Sequence, residues 1–306
     1  MIISNQTEAI VTFSIALLIG IIGSIGNFLV ILCLTKYSAS LIKQPTTKLV
    51  INLSTSDLIF CLFNVPLTAT PFLTRNWPFG QLICHLYPYF YYGNIAVSLL
   101  SITFIAINRL VIIIINAQSN SFYSNRNLCI MVIITWVLPF AILCLPLTHT
   151  WGYFGYQASL LTCTIMGSEA LKDFLFLISF VIPCLTIIIC YGIIWFKVRS
   201  HTRNLADKGI NRSQREMRLT KLMFTIFAVF VICYAPSVIL QITSAPVRHP
   251  YVYILSLWLV LFSASVNPLI YFIMNPQYRN AFHRLISKSV EPTGMTSEHS
   301  TNSQRK

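Results

Sequence analysis

The chain has 306 residues, of which 56% are hydrophobic and only 9% charged, with a mean hydropathy of +0.71. A soluble domain carries roughly 25% charged residues, so the outer surface of this protein must face something apolar. Its net charge of +13 does not point to a nucleic-acid partner, because the basic residues lie between long apolar runs instead of forming one stripe.

A helix crossing the hydrocarbon core of a bilayer needs roughly 20 mostly apolar residues. Seven stretches meet that length, at about 9–35, 47–73, 82–115, 127–147, 171–197, 217–243 and 250–274. The expected fold class is an all-α membrane protein, a bundle of seven transmembrane helices. Residues 1–8 form a short outer N-terminus, 9–274 the bundle, 275–287 an amphipathic helix and 288–306 a disordered tail. The longest connections are about 148–170 and 198–216, and no internal repeat appears. Met1 to Glu8 holds no Lys or Arg and the following apolar run exceeds an h-region, so the first helix is expected to act as its own signal anchor.

Lysine and arginine orient these spans. The first connection carries Lys36, Lys43 and Lys48, and the third Arg109 and Arg126. The fifth holds Lys197, Arg199, Arg203, Lys208, Arg212, Arg215, Arg218 and Lys221, and the tail Arg279, Arg284, Lys288, Arg305 and Lys306. Only Arg75, Lys172 and Arg248 fall on the other side, so the N-terminus is expected outside and the tail in the cytosol. Asn5-Gln6-Thr7 is then a glycosylation sequon on the outer side, whereas Asn211-Arg212-Ser213 faces the cytosol.

Of nine cysteines, Cys33, Cys61, Cys129, Cys144, Cys184, Cys190 and Cys233 lie in apolar stretches and read as small packing residues. Cys84 and Cys163 sit in or beside more polar segments on the outer side, where disulfides persist; spacing alone leaves their pairing open. No metal-ligand spacing occurs.

Two ionisable residues stand out in the spans, and such groups are costly enough to be functional candidates. Asp57 lies mid-way along the second span; Arg109 lies at the inner end of the third, where snorkelling to headgroups is the competing reading. Asn27, Ser98, Ser263 and Asn267 could gather around Asp57. A carboxylate among hydroxyls and amides suits a hard cation such as Na⁺, and a protonated, hydrogen-bonded Asp57 is the other state. Pro66, Pro139, Pro183, Pro236 and Pro268 interrupt the spans and predict kinks.

In order and spacing these residues resemble the class A, rhodopsin-like G-protein-coupled receptors from about Gly26 to Phe282. The resemblance rests on Gly26-Asn27, Leu53 with Asp57, Trp77-Pro78-Phe79-Gly80 followed by Cys84, and Arg109 placed 25 residues after Cys84. It continues through Trp136, Pro183 with Tyr191, Phe230 with Cys233 and Pro236, and Asn267-Pro268-Leu269-Ile270-Tyr271. It implies a Cys84–Cys163 disulfide. Two departures stand out: the usual acidic-Arg-Tyr motif reads Asn108-Arg109-Leu110, and Tyr234 occupies the sixth-helix switch position. Glu216 is left as the carboxylate that could hold Arg109 at rest. Tyr278 and Phe282, with Arg279 and Arg284, fit a short eighth helix on the inner leaflet, while the tail has no cysteine for a palmitoyl anchor. The Asn-Arg variant and the run Met274-Asn275-Pro276-Gln277-Tyr278-Arg279 resemble the Moody and trapped-in-endoderm branch; melatonin and medium-chain fatty acid receptors are looser relatives.

The resemblance implies a receptor that passes an extracellular signal to a heterotrimeric G protein, with arrestin and membrane lipids as further partners and no nucleic acid. Switching would involve Asn108, Arg109, Leu110, Tyr191, Glu216, Phe230, Tyr234, Pro236, Asn267, Pro268 and Tyr271. The ligand wall would comprise Tyr87, Tyr91, Tyr92, Gln241, Tyr253 and Trp258. Amine receptors carry an aspartate where Tyr91 stands, so a lipid-like, neutral or peptide ligand is expected. The plasma membrane is the expected location, and an allosteric sodium ion is the sole cofactor considered. Leu261 replaces the lysine that a retinal Schiff base needs, and a single midplane acid without repeats argues against a transporter. The six scattered histidines accompany no nucleophile–base pair, so an enzyme is not expected. The alternative is a receptor-shaped scaffold or scavenger that does not signal.

Overall fold

The computed structural model describes residues 5–36, 44–115, 125–202, 210–242 and 250–290. Seven helices in it are long and apolar enough to cross a membrane: α1 (Gln6–Lys36), α2 (Pro45–Thr74), α3 (Gly80–Ile115), α4 (Asn125–Leu147), α5 (Glu169–Lys197), α6 (Ile210–Ile242) and α7 (Pro250–Met274). An eighth, α8 (Pro276–Val290), follows a break at Asn275. The connection between α4 and α5 contains an antiparallel hairpin, β1 (Tyr153–Gln157) and β2 (Thr162–Met166).

The helix boundaries have local causes. The Asn5 Oδ1 accepts the Glu8 N–H at 2.8 Å, an N-cap that starts α1 at Gln6, so the helix begins three residues earlier than hydropathy placed it. Pro45 occupies the first helical position of α2, where its missing N–H costs nothing. α2 widens into a π turn at Phe60–Asn64 and α5 into one at Leu177–Val181. Each ends two residues before a proline, Pro66 or Pro183, whose missing N–H removes the helical bond to the carbonyl four residues back, on Leu62 or Ser179. Within the π turns the Val65 N–H bonds the Phe60 carbonyl and the Ile182 N–H the Leu177 carbonyl, five residues back, so the helix widens where the proline interrupts its ladder.

The outward faces carry Ile21, Phe28, Val137, Ile188 and Phe196, all exposed, as a lipid-facing surface requires. Inside, Leu53, Leu99, Ile226 and Leu261 belong to one contiguous core that runs most of the bundle's length. Gly26 lets α1 approach α7 closely, because a Cβ there would lie 2.9 Å from the Pro268 ring. A smaller apolar cluster near the disulfide end joins Ala9, Phe72, Ile254 and Leu257 to Leu161 at the hairpin tip.

Candidate functional site

Near the middle of the bundle Asp57 is 2% exposed, and both of its carboxylate oxygens accept hydrogen bonds. Ser98 on α3 donates to Oδ1 at 3.0 Å, and the Asn267 amide on α7 donates to Oδ2 at 2.8 Å. Ser56, packed at 3.1 Å from Ser98, donates to the Asn94 Oδ1 at 2.6 Å and extends this polar chain along α3. Ser263 reaches the cavity between Asp57 and Tyr234, which Ser98 and Asn267 also line. Its hydroxyl donates to the Val260 carbonyl at 2.9 Å. The cavity has room for about one water-sized occupant.

A carboxylate with hydroxyls and an amide oxygen around it is a donor set that fits a small hard cation, and the cavity matches one in scale. Asn27 stands apart from it. Its amide donates to the Gly23 and Ala264 carbonyls at 2.9 and 2.8 Å, which ties α1 to α7 instead. Four of the five polar residues expected together thus line one cavity, and Asn27 braces its back.

At the end that carries α8, Arg109 is 3% exposed and lies under a crevice shared by α2, α6, α7 and α8, with Thr46, Met223, Tyr271 and Tyr278 among its walls. The neighbouring Asn108 Oδ1 accepts from Thr46 Oγ1 at 3.2 Å, which binds α3 to α2. Leu110 is half-buried against the core. Tyr191 lies within electrostatic reach of Arg109. The hydroxyls of Tyr191 and Tyr271 are buried without a hydrogen-bond partner among the described residues. Glu216 falls on the first turns of α6, but its side chain lies outside the described residues, and so does its expected contact with Arg109. Lys197 donates to the Ile114 carbonyl at 2.9 Å and caps the end of α3.

Further along α6, Tyr234 stacks on Phe230 with ring centroids 4.2 Å apart, one turn from it on the same face. Pro236 is half-buried and Pro268 buried, two and one residues beyond Tyr234 and Asn267 respectively.

At the opposite end Cys84 on α3 is bonded to Cys163 on β2, and both are buried. The bond hangs the hairpin over the bundle. Tyr92 reinforces it through a 2.8 Å hydrogen bond with Thr164. Beneath lies an aromatic cluster. Tyr91 packs on Tyr87 at 5.4 Å, Tyr92 at 5.3 Å and Phe60 at 5.6 Å, and it lies within electrostatic range of Tyr234 and Tyr253. The Tyr87 hydroxyl shares a 2.8 Å bond with Thr68. Trp258 is half-buried, and its indole N–H is enclosed with no acceptor among the described residues. Gln241 departs from the expected wall: it is exposed, near the end of α6.

Three features escaped sequence reasoning. The hairpin is one, although aromatic Tyr153–Gln157 and β-branched Thr162–Met166 around a four-residue turn carry its pattern. Asn52 is another: it donates to Ser101 at 2.8 Å and Thr135 at 3.2 Å and accepts from the Trp136 indole at 2.9 Å, which joins α2, α3 and α4. The third is Asn94 with Ser56. The sequon residue Asn5 serves as a helix cap, and its Nδ2 also donates to Glu8 Oε1 at 3.4 Å.

The family model described as 7 transmembrane receptor (rhodopsin family) matches residues 26–271. Protein trapped in endoderm-1 of Drosophila melanogaster is 32% identical over 87% of this chain and 74% of its own length. The G-protein coupled receptor moody of the same fly is 30% identical over 92% of this chain, which spans 52% of that relative. The crystal structure of squid rhodopsin superposes with a TM-score of 0.80 at 25% identity, over 94% of this chain and 88% of the other.

Proposed function

The chain belongs to the rhodopsin family of seven-transmembrane receptors, a multi-pass membrane family of receptors and not enzymes, and we propose that it carries an extracellular signal to a cytosolic G protein. The excess of Lys and Arg around the Arg109 end supports an orientation with that end in the cytosol and the disulfide end outside, and the plasma membrane is the proposed location.

The observation that carries this reading is the Arg109 end itself. A buried guanidinium lies beneath a narrow crevice, and two buried tyrosine hydroxyls beside it, Tyr191 and Tyr271, have no hydrogen-bond partner among the described residues. Buried polar groups are almost always satisfied, which supports a second packing in which these hydroxyls find partners. In the other state the cytosolic end of α6 moves outward, away from Arg109. The tyrosines turn inward, and the opened groove takes the C-terminal helix of a G protein. Ligand and G protein favour the same packing, and their coupling is reciprocal. Arrestin would use the same opened face, and the basic residues from Lys197 to Lys221 would meet anionic lipid.

The ligand site lies under the hairpin, among Tyr87, Tyr91, Tyr92, Tyr253 and Trp258, with Gln241 outside it. These aromatic groups and hydroxyls, with a tyrosine where amine receptors have their acid, favour a lipid-like, neutral or peptide ligand. The enclosed Trp258 N–H calls for an acceptor on that ligand. At Asp57, a bound sodium ion would supply positive charge that keeps the carboxylate ionised. Asp57, Ser98, Ser263 and Asn267 would hold it and brace α2, α3 and α7 in the resting packing.

A ligand screen in cells expressing the receptor with a promiscuous G protein tests the reading. At least one ligand should evoke a response that Arg109→Ala abolishes at unchanged surface expression. A response that survives this substitution would remove Arg109 from the coupling step. Silence towards every ligand and G protein despite surface expression would favour the non-signalling scaffold.

A further inference from the structure

Two imidazoles meet at the disulfide end, outside every site described above. His85 follows Cys84 on α3 and is half-buried, and His149 lies two residues beyond α4 and is exposed. Their ring centroids are 6.2 Å apart with planes at 84°. His149 has a backbone φ of 59°, a left-handed conformation that costs a residue with a Cβ roughly 1–2 kcal/mol. Its ring is stacked on Tyr153 of β1 at 5.9 Å and 8°. The corner between α4 and β1 therefore holds a strained backbone that turns this ring towards α3. Neither imidazole makes a hydrogen bond among the described residues, so their nitrogens are free to act as donors.

We propose that His85 and His149 form a binding site for a transition-metal dication of the Zn²⁺ class. Imidazole nitrogen suits Zn²⁺, Cu²⁺ and Ni²⁺ and is a poor ligand for the hard ions Mg²⁺ and Ca²⁺. An imidazole nitrogen binds Zn²⁺ at about 2.0–2.1 Å, which puts the metal about 3.2 Å from the ring centroid. Two such rings at a tetrahedral angle have centroids about 5.2 Å apart, so the pair needs to close by about 1 Å. Side-chain rotation at a half-buried and an exposed histidine supplies that movement without displacing a helix. Zn²⁺ has no geometric preference from its d electrons, which suits a site with two protein ligands. Among the described residues no third His, Cys, Asp or Glu joins them, so water or an added donor completes the shell. The bound ion would tie the first turns of α3, beside the disulfide, to the corner that leads into the hairpin. It would thereby restrain the hairpin over the aromatic cluster.

The test uses the full chain purified in detergent, titrated with ZnCl₂ and followed by its thermal unfolding midpoint. The midpoint should rise and saturate for the native chain, and the rise should vanish in His85→Asn and in His149→Asn. The double variant should behave like either single one, and MgCl₂ should leave all four proteins unchanged. An equal rise in the single variants would place the ion elsewhere and overturn the proposal, as would no rise in the native chain. Both substitutions fall at accessible positions, and the midpoint without metal reports whether each variant folds.

Discussion

Leu161 at the hairpin tip offers a sharp test of how the outer end is closed. It is 3% exposed against Ala9, Phe72, Ile254 and Leu257, although it sits in a loop. Its φ of 53° is left-handed, so burial of the side chain holds a backbone that resists it. Leu→Ala at a buried site costs about 2–5 kcal/mol; a tip that can relax belongs near the low end, about 2 kcal/mol. With a factor of ten for each 1.4 kcal/mol, the open tip becomes about 30-fold more populated in Leu161→Ala. Leu161→Gly loses the same contacts but recovers about 1 kcal/mol of backbone strain, so its opening rises only about fivefold. Amide hydrogen exchange on the receptor in nanodiscs reads both values at the turn that closes with Leu160 N–H on the Gln157 carbonyl. Thr164 to Met166, beyond the disulfide, should stay protected in both variants. Unchanged exchange in Leu161→Ala, or faster exchange in Leu161→Gly than in Leu161→Ala, would refute the argument.

Asn52→Ala removes three interhelical hydrogen bonds worth about 0.6 kcal/mol each in a membrane, so it should cost about 2 kcal/mol; Ser101→Ala, which removes one of them, should cost about a third as much in thermal unfolding. Equal losses would mean the three partners do not act through Asn52. Asp57→Asn keeps an acceptor for Ser98 but lacks the negative charge, so any sodium sensitivity of agonist binding should disappear; a retained sodium response would remove Asp57 as the cation site. Glu216→Ala should raise agonist-free nucleotide exchange if it restrains Arg109, and an unchanged basal rate would dispose of that lock.

The seven spans were legible because a bilayer imposes one strong rule, a long apolar run, and hydropathy reads it directly. Asp57 and Arg109 were legible for the converse reason: each breaks that rule at a cost that calls for partners. Asn52 was not, since an amide among apolar residues announces no partner, and its bonds to Ser101, Thr135 and Trp136 depend on how three helices cross. The hairpin was also missed. Strands of five residues are marginal alone, and these are held by Cys84 and by Leu161 wedged among α1, α2 and α7. Gln241 shows the limit of helical spacing: it extends the α6 pattern from Tyr234, yet its side chain is exposed. Asn108 gained meaning only in three dimensions, where Thr46 offers a neutral hydrogen bond at the position of the family's carboxylate.

If the bundle changes packing around Arg109, that change should activate a G protein. Its most direct measurement is GDP–GTP exchange on purified G proteins reconstituted with the receptor, the native chain beside Arg109→Ala, with an agonist from the screen. Exchange should be agonist-dependent with the native chain and absent with Arg109→Ala, at equal agonist-binding capacity. Agonist binding that leaves exchange at the receptor-free rate with every G protein would contradict such activation.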